Sequence, residues 1–390
     1  MRVGIGRELP MLSIIGACGY LCLILAACYS VLTLIAAAVW RHRVISVPAP
    51  QPRPVTVLKP LCNDEPDLYE HLRTFCQQDF TTFQLVFGVR DASDPALRAV
   101  RRLVAEFPLL QIDVVVDPTL HGRNYKISNL INMVGHARYD VLVVSDSDTW
   151  VGPDYLASVT AQLHNPAVSL VTCLYRDVPT AGISARLGAM YVNEWFMPSV
   201  LLAKLFGFQG YVSGQTMCLR RDTLEAIGGF KAIANHLADD YRLGELVRTL
   251  GLKVGISRYL VAAQHDEVSL TSLFQHELRW MSTLRVLRPR CFPLLFLSFS
   301  LLLASSGLLL CHVQPVVPPG AGLLFCIAVV ARLLLHFMQR APAERPLLTD
   351  LWLLPMRELL IFAVWCGCFF TSRVLWRGQA FEVDADGIMR

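Results

Sequence analysis

Two carboxylates lie two residues apart in Ser145-Asp146-Ser147-Asp148, directly after the apolar run Val141–Val144. At the end of an extended strand, two carboxylates with this spacing can both reach one hard divalent cation. Such a cation would bridge a nucleotide diphosphate and neutralise the charge that develops as the nucleotide leaves. A D-x-D sequence is also common in solvated turns. The same two interpretations apply to Asp91, which follows the run Gln84–Val89.

Two further segments carry charges that suit a site for an anionic substrate. Leu120–Lys126 places glycine, Arg123 and Lys126 before a predicted helix, whose N-terminal N–H groups attract anions. Ala238-Asp239-Asp240-Tyr241 opens the predicted helix Tyr241–Leu250, and the helix dipole keeps carboxylates there ionised, as a general base requires. The alternatives are an ordinary basic loop and an ordinary N-terminal cap.

The segment His276-Glu277-Leu278-Arg279-Trp280 lies in the predicted helix Leu270–Val286. It is not the zinc-protease motif H-E-x-x-H, because Trp280 stands where the second histidine would be. An Arg–Trp pair beside a nucleotide site can bind diphosphate and pack against a sugar or a base. Alternatively, Arg279 and Trp280 anchor an interfacial helix at lipid headgroups.

The elements that must position these residues alternate between short apolar runs and helical patterns. The predicted strands are Val55–Leu58, Gln84–Val89, Gln111–Val116, Val141–Ser145 and Leu260–Gln264. The predicted helices between the first four strands are Leu68–Gln77, Ala96–Glu106 and Lys126–Gly135. This alternation predicts an α/β domain with a parallel sheet, in which ligands bind at the carboxyl ends of the strands. Two segments stand apart from this pattern: Gly214-Gln215-Thr216-Met217 is a candidate substrate-binding loop, and Arg186–Phe208 has the pattern of an amphipathic surface helix.

The composition indicates a membrane protein. Hydrophobic residues make up 54% of the 390 residues and charged residues only 17%, against about 45–50% and about 25% in soluble domains. The net charge of +4 is small and scattered, so it does not favour nucleic acid as a partner. Neither a G-x-G-x-x-G after a strand nor a P-loop sequence occurs, which excludes the common dinucleotide and P-loop sites.

The apolar excess falls in segments long enough to cross a bilayer. Met11–Trp40, Phe292–Val313 and Leu323–Met338 are the predicted spans, and the shorter Leu359–Ser372 is either a fourth span or a re-entrant element. Arg332 and His336 lie one turn apart in the third span, so their face is expected to contact protein. Basic residues after the first span predict a cytoplasmic middle domain.

The order of these motifs resembles the family 2/21 glycosyltransferases, and within them the ceramide glucosyltransferase group. Further matching segments are Leu58-Lys59-Pro60-Leu61, Lys126-Ile127-Ser128-Asn129-Leu130, Gly214-Gln215-Thr216, Arg357-Glu358 and Trp376-Arg377-Gly378. The resemblance implies a GT-A (Rossmann-like) catalytic domain with N- and C-terminal transmembrane helices. It also implies an inverting, metal-dependent transfer from a UDP-sugar to a lipid hydroxyl, with Mg²⁺ or Mn²⁺ as the cofactor.

The resemblance also implies a role for each residue. Asp240 would be the catalytic base, Asp91 would hold the uridine, and Asp146 and Asp148 would bind the metal and diphosphate. The other expected donor-binding residues are Lys126, Asp239, Arg279, Trp280 and His276, the last replacing the glutamine or arginine usual in the family's (Q/R)-x-x-R-W box. His265 is a further candidate metal ligand, and a structural histidine is the alternative there.

The finer resemblance is to bacterial hopanoid-biosynthesis glycosyltransferases, through Val57–Asn63, Ser128–Met133, Leu170–Tyr175 and the His276–Trp280 segment. It implies transfer of N-acetylglucosamine from UDP-GlcNAc to bacteriohopanetetrol in the bacterial inner membrane. The alternatives are a ceramide glucosyltransferase that uses UDP-glucose, a polysaccharide synthase and an inactive membrane scaffold. We expect three regions: an N-terminal transmembrane helix at 1–46, a cytoplasmic catalytic domain with interfacial helices at 47–290, and a C-terminal membrane region at 291–390.

Overall fold

The computed structural model describes residues 5–42, 53–63, 65–180, 182–314, 316–339, 349–371, 373–376, 379–384 and 387–390. The α-helices are α1 Ile5–His42, α2 Leu68–Cys76, α3 Ala96–Glu106, α4 Tyr125–Val134, α5 Tyr155–Thr160, α6 Gly182–Met190, α7 Met197–Leu205, α8 Arg221–Ala226, α9 Asp239–Thr249, α10 Leu270–Leu287, α11 Ser300–His312, α12 Ala321–Gln339 and α13 Leu353–Gly367. The strands are β1 Val55–Pro60, β2 Phe83–Val89, β3 Gln111–Val116, β4 Val141–Val144, β5 Thr149–Trp150, β6 Val168–Pro179, β7 Met217–Arg220, β8 Lys253–His265, β9 Arg373–Trp376 and β10 Gln379–Glu382.

The chain forms two compact units. The first comprises Met1–Val44, Ala181–Gly207 and Glu267–Gly378, and the second comprises Ile45–Thr180, Phe208–Asp266 and Gln379–Arg390. The expected catalytic range 47–290 therefore contributes to both units. Residues 181–207 and 267–290 cluster with the apolar helices because α7 packs on α1 and α10 packs on α13.

The second unit is built on an eight-stranded sheet with the order β3-β2-β1-β4-β7-β6-β8-β5. Strands β3, β2, β1 and β4 are parallel neighbours, as the alternation of strands and helices predicts. The other half is mixed: β7 is antiparallel to both β4 and β6, and β5 is antiparallel to β8. The predicted parallel pairing is thus confirmed for the four strands from which it was inferred. In the other half β6 and β8 are parallel, and the antiparallel strands β7 and β5 were not among the predicted strands.

The parallel half matches the predicted elements closely because three of its strands, β1, β2 and β4, are buried on both faces, while β3 is a more exposed edge strand. Every residue of β1, β2 and β4 is buried, which explains their continuous apolar runs. One core layer packs Leu58, Val86 and Leu142 of these strands against Ile127 and Leu130 of α4. This layer fixes where each strand ends, and therefore where the polar residues after it lie.

The first unit contains the apolar helices. Among the described residues, Ile14–His42 and Ala321–Gln339 are long and apolar enough to cross a membrane. The predicted second span is broken, because the 3₁₀ helix Phe292–Ser298 and α11 meet at an angle of 78°. The bend lies at Phe299, whose ψ of 72° is not helical. At 15 residues α13 is shorter than the roughly 20 that span a bilayer.

The segment predicted as an amphipathic surface helix is instead largely buried within the first unit. It comprises α6, a π-helix at Tyr191–Phe196, and α7, and the side chain of Glu194 in the π-helix is buried. Glu194 accepts a hydrogen bond of 2.8 Å from Arg332 Nη1, and its other oxygen lies 2.8 Å from His336 Nδ1. The expectation that Arg332 and His336 face protein is thus confirmed. The prediction of a surface position for this segment is wrong because α12 packs on its π-helix. Arg332 and His336 of α12 compensate the buried charge of Glu194 there.

Helices α1 and α11 approach closely at Gly19 and Gly307. A Cβ atom added at Gly307 would lie 2.7 Å from the carbonyl oxygen of Gly19 and 3.0 Å from Cys22 Cβ. We expect Gly307→Val to push the helices apart and to lower the free energy of unfolding by about 1–3 kcal/mol, measured as a lower melting temperature in detergent.

The matched control for this substitution is Gly322→Val in α12, where an added Cβ meets nothing within 4 Å. Both changes replace a helical glycine with the same residue, so their difference isolates the close packing. Equal melting temperatures for the two variants would contradict the predicted packing role of Gly307.

Candidate active site

Asp146 and Asp148 follow β4 at the carboxyl end of the parallel half of the sheet. Both side chains are partly exposed, and the chain continues directly into β5, which pairs with β8. The backbone N–H of Gln264 donates to the carbonyl oxygen of Asp148 at 3.3 Å. The two carboxylates are therefore held between two strands and are not part of a free solvated turn.

Lys126 connects this pair to a second acidic segment. Helix α4 begins at Tyr125 because the side chain of Asn124 caps it, accepting from the N–H of Ile127 at 3.1 Å. From the first turn, Lys126 Nζ reaches Asp146 Oδ1 at 2.6 Å and Asp239 Oδ2 at 3.3 Å. Burial opposes the charge of Lys126, but Asp146 and Asp239 together raise its pKa above the ordinary value.

Asp239 and Asp240 are the first residues of α9, and Ala238 occupies the cap position. They are therefore not the N-terminal cap that was the alternative for them. Asp240 Oδ2 accepts from the N–H of Gly214 at 3.1 Å, and Oδ1 accepts from the N–H of Tyr241 at 2.6 Å. Burial and then the neighbouring Asp239 raise the pKa of Asp240 to about 7, while Lys126 opposes this rise. A carboxylate with a pKa near neutrality suits a general base.

The predicted loop Gly214–Thr216 is brought to the same cluster. A Cβ atom added at Gly214 would lie 2.6 Å from Asp146 Oδ2 and 2.9 Å from Lys126 Nζ. Glycine at this position therefore allows the backbone to contact both Asp240 and the D-x-D segment. We call Lys126, Asp146, Gly214, Asp239 and Asp240 the Lys126 cluster.

Lys59 is a further component that inspection of the charged motifs did not assign to the site. It lies in β1, is fully buried, and its Nζ donates to the carbonyl oxygen of Asp146 and to Ser145 Oγ. Its ammonium group also lies 3.9 Å from the ring centroid of Phe75. Burial lowers the pKa of Lys59 to about 7, against the attraction of Asp148 and Asp146. The available signal was a lysine inside an otherwise apolar strand.

Asp148 and His265 are the expected metal ligands with Asp146. Burial, followed by repulsion from Asp146 and Glu65, raises the pKa of Asp148 to about 7. A partly buried carboxylate beside a second carboxylate fits a divalent cation, for which carboxylate oxygens are suitable ligands. His265 is buried at the end of β8, with Nδ1 2.9 Å from Asp177 Oδ2, and a carboxylate in that position commonly orients a metal-binding histidine. In the described ranges, no three His, Cys, Asp or Glu side chains already form a metal-binding group.

Asp91 follows β2, which is parallel to β1. Its carboxylate is exposed and accepts from the backbone N–H and from the Oγ of Ser93, both at 2.8 Å. These two bonds, the backbone bond first, lower its pKa. The structure thus shows a local turn at Asp91, and a contact with uridine remains a prediction.

The His276–Trp280 segment lies on α10 of the first unit, whereas the Lys126 cluster lies in the second. Glu277 forms a buried bidentate ion pair with Arg357 of α13, with N–O distances of 2.6 and 2.5 Å. His276 Nδ1 lies 2.6 Å from Glu267 Oε1, and its ring centroid lies 4.2 Å from that of Trp280. The segment is therefore rigidly held within its own unit, and its role in donor binding remains a prediction. Arg377-Gly378, part of another segment in the resemblance, lies outside the described residues.

Comparisons with known proteins agree with this architecture. The chain is 27% identical over 266 residues to ceramide glucosyltransferase 1 of Caenorhabditis elegans, covering 67% of this chain and 54% of that protein. It is 23% identical to ceramide glucosyltransferase 3 of the same organism, covering 85% and 73%. The first match thus spans only about half the length of that relative.

A solved structure shows the same fold. It is a mannosyltransferase from Pyrobaculum calidifontis in complex with GDP-Man and Mn²⁺, matched with a TM-score of 0.57 and 19% identity over 91% of this chain and 99% of that one. The expected GT-A fold is thereby confirmed. The family model described as glycosyl transferase family 21 matches residues 19–389, nearly the whole sequence, and the chain belongs to that family.

Proposed function

We propose that the chain transfers one sugar from a UDP-sugar to the hydroxyl group of a membrane lipid. The observation that carries this proposal is the Lys126 cluster, in which one lysine joins the D-x-D segment to the pair Asp239–Asp240. This arrangement places a group suited to the donor diphosphate beside a carboxylate suited to deprotonate an acceptor. In an inactive scaffold we would not expect the several charged side chains of the Lys126 cluster to be gathered in one partly buried site.

For the donor and acceptor, we propose UDP-glucose and ceramide. The support is that the matched relatives bear the name ceramide glucosyltransferase. The sequence-based expectation of UDP-GlcNAc and bacteriohopanetetrol has no support in these comparisons, so that pair becomes the alternative. Because the first relative is covered over only 54% of its length, the acceptor is the least supported part of the proposal.

For the cofactor, we propose Mg²⁺ or Mn²⁺ held by Asp146 and Asp148, with His265 as a further ligand. The acidic donor set around Asp148 fits such a cation, and the mannosyltransferase of similar fold contains Mn²⁺. When bound, the cation neutralises negative charge on the departing diphosphate.

In the proposed mechanism, the protein's own groups orient the donor and accept a proton. Lys126 holds Asp146 and Asp239 in place and offers positive charge to the diphosphate. Asp240 Oδ accepts the proton of the lipid hydroxyl while that oxygen bonds to the anomeric carbon. The bond from this carbon to the UDP oxygen breaks on the opposite face, so the anomeric configuration inverts. Asp91 is proposed to contact uridine, and Arg279, Trp280 and His276 to contact the donor.

We further propose that the second unit is cytoplasmic and that the protein is a multi-pass membrane protein, the bacterial inner membrane going with the alternative hopanoid acceptor. The support is the pair of helices long enough to span a bilayer and the basic residues that follow the first of them. A lipid acceptor requires the site to be accessible from the membrane surface, which a membrane-anchored catalytic unit provides.

The proposed substrates are tested by mass spectrometry of lipids after incubation of the purified protein with Mn²⁺ and matched donors and acceptors. UDP-glucose and UDP-GlcNAc are each offered with ceramide and with bacteriohopanetetrol. We expect hexosylceramide from UDP-glucose and ceramide. N-acetylglucosaminyl hopanoid would assign the alternative pair. If UDP binds but no pair gives a product, the scaffold interpretation replaces the proposed function.

We expect Asp240→Asn to lower kcat by about 10²–10⁴-fold, since general-base catalysis typically contributes that much. The affinity for UDP should change only a few-fold, because the amide retains the size of the carboxylate and Asp146 and Asp148 remain. Turnover and calorimetric UDP binding are the measurements. The matched control is Asp222→Asn, an exposed acidic residue in the first turn of another helix, α8. Turnover unchanged by the Asp240 substitution would exclude Asp240 as the base.

We also expect log(kcat/KM) to decrease by one for each pH unit below about 7. Asp240 accepts a proton only in its ionised form, and burial together with Asp239 raises its pKa to about 7. Lys126 lowers this pKa, so Lys126→Met should move the acidic limb of the profile to higher pH. The measurement is the pH–rate profile from pH 5.5 to 8.5 for both proteins. A flat profile, or a limb that moves to lower pH in the variant, would contradict the assignment.

A further inference from the structure

The last residues of the sequence fold as a small hairpin in the second unit, separate from the large sheet. Val383 and Met389 form an antiparallel bridge. Two backbone bonds flank it: Arg390 N–H donates to Glu382 O at 2.8 Å, and Asp384 N–H donates to Ile388 O at 3.1 Å. In this pattern the N–H of Met389 points away from its own hairpin, and the Met389 side chain is buried.

The outward edge of this hairpin pairs with residues 235–237. Met389 N–H donates to the carbonyl oxygen of Asn235 at 2.9 Å, and Leu237 N–H donates to that of Gly387 at 3.0 Å. His236 and Ile388 form an antiparallel bridge between these two bonds. A backbone segment that is distant in sequence thus supplies a strand-like partner to a loop of the catalytic unit.

The same loop is bonded on its other side to residues 122–124. Asn124 N–H donates to Ala234 O at 2.9 Å, Asn124 Nδ2 donates to His236 O at 3.0 Å, and Arg123 N–H donates to Asn235 Oδ1 at 3.0 Å. A Cβ added at Gly122 would collide with the carbonyl oxygen of Ala234. Residues 234–237 are therefore hydrogen-bonded on one side to residues 387–389 and on the other side to residues 122–124.

Both loops lead directly into the Lys126 cluster. Asn124 caps the helix that carries Lys126, and Leu237 lies two residues before Asp239, to which Lys126 is paired. We propose that residues 387–389 are a positioning element for the reaction: by holding the 234–237 loop, they fix Lys126 and Asp240 relative to each other. This inference rests on the proposed roles of Lys126 and Asp240. The hairpin makes no bond to the D-x-D segment in the described part of the chain.

The test compares Met389→Pro with Met389→Ala in the full chain. Both changes remove the buried side chain, but only proline also removes the N–H that bonds to Asn235. Since small displacements of reacting groups cost up to about 100-fold in rate, we expect Met389→Pro to lower kcat roughly 10- to 100-fold below Met389→Ala. The Kd for UDP with Mn²⁺ should stay within about threefold in both variants, because Lys126 keeps its ion pair with Asp146, which β4 and β5 hold, so that Asp240 is the group displaced.

A merely structural role would lower the melting temperature, UDP affinity and turnover together, and that result would overturn the proposal, as would equal kcat values for the two variants. If Met389→Pro does not fold, Leu237→Pro compared with Leu237→Ala serves as a second pair, because the proline removes the N–H that donates to the carbonyl oxygen of Gly387 and should give the same separation of kcat from UDP affinity.

Amide hydrogen exchange separates this inference from the proposed function. In Met389→Pro, peptides containing residues 121–125 and 234–238 should exchange faster than in Met389→Ala, while peptides of β4 remain unchanged. If the wild-type protein shows no transferase activity but this exchange pattern appears, the positioning contact stands and the proposed function fails. If transfer occurs but exchange is the same in the two variants, the positioning inference fails alone.

Discussion

The ion pairs of Lys126 with Asp146 and Asp239 are the interaction on which the rest of the site depends. They join two elements that are remote in sequence and supported by different parts of the sheet: the turn after β4 and the start of α9. Without the lysine, Asp146, Asp239 and Asp240 would be three carboxylates in a partly buried space, and their repulsion would drive protonation or separation. The lysine itself is retained in its charged form by the same carboxylates, despite its burial. The lysine and the carboxylates thus compensate one another's charge in the partly buried site.

The same principle operates at other buried charges of the chain. Lys59 forms no ion pair at hydrogen-bond distance with a carboxylate of the described residues. It donates to the backbone of Asp146 and lies over Phe75, and its burial lowers its pKa. In the first unit, Glu194 is matched by Arg332 and His336, and Glu277 by Arg357. Removing one member of such a pair leaves an uncompensated buried charge, which destabilises the folded state more than replacing both members with apolar residues. These pairs therefore specify which helix faces meet within that unit.

How much of the fold and site could be predicted depends on whether the interactions involved are local in the sequence or join distant segments. Strands β1, β2 and β4 were predictable because burial on both faces gives continuous apolar runs. The exposed edge strand β3 was predictable from its own short apolar run between two helical patterns. Asp146, Lys126 and Asp240 could be named from their local context, but their mutual contacts depend on how β7 and α9 return to the sheet. Lys59 was not assigned, because a single lysine in an apolar strand is a weak local signal and its contacts with Asp146 and Phe75 depend on the fold. The bend at Phe299, the π-helix at Glu194 and the hairpin at Met389 likewise depend on partners distant in sequence.

Shared use of Lys126 links the charge at the proposed donor site to the pKa of Asp240, the proposed base. Asp146 raises the pKa of Asp240 by repulsion, while Lys126 lowers it by attraction. A cation at the D-x-D segment would offset the first effect, and a donor diphosphate that draws Lys126 toward itself would weaken the second. These influences act in opposite directions, so the pKa of Asp240 need not move far when cation and nucleotide bind together. Under the proposed mechanism, an arrangement of this kind would leave Asp240 able to accept the proton of the acceptor hydroxyl when cation and donor are both bound.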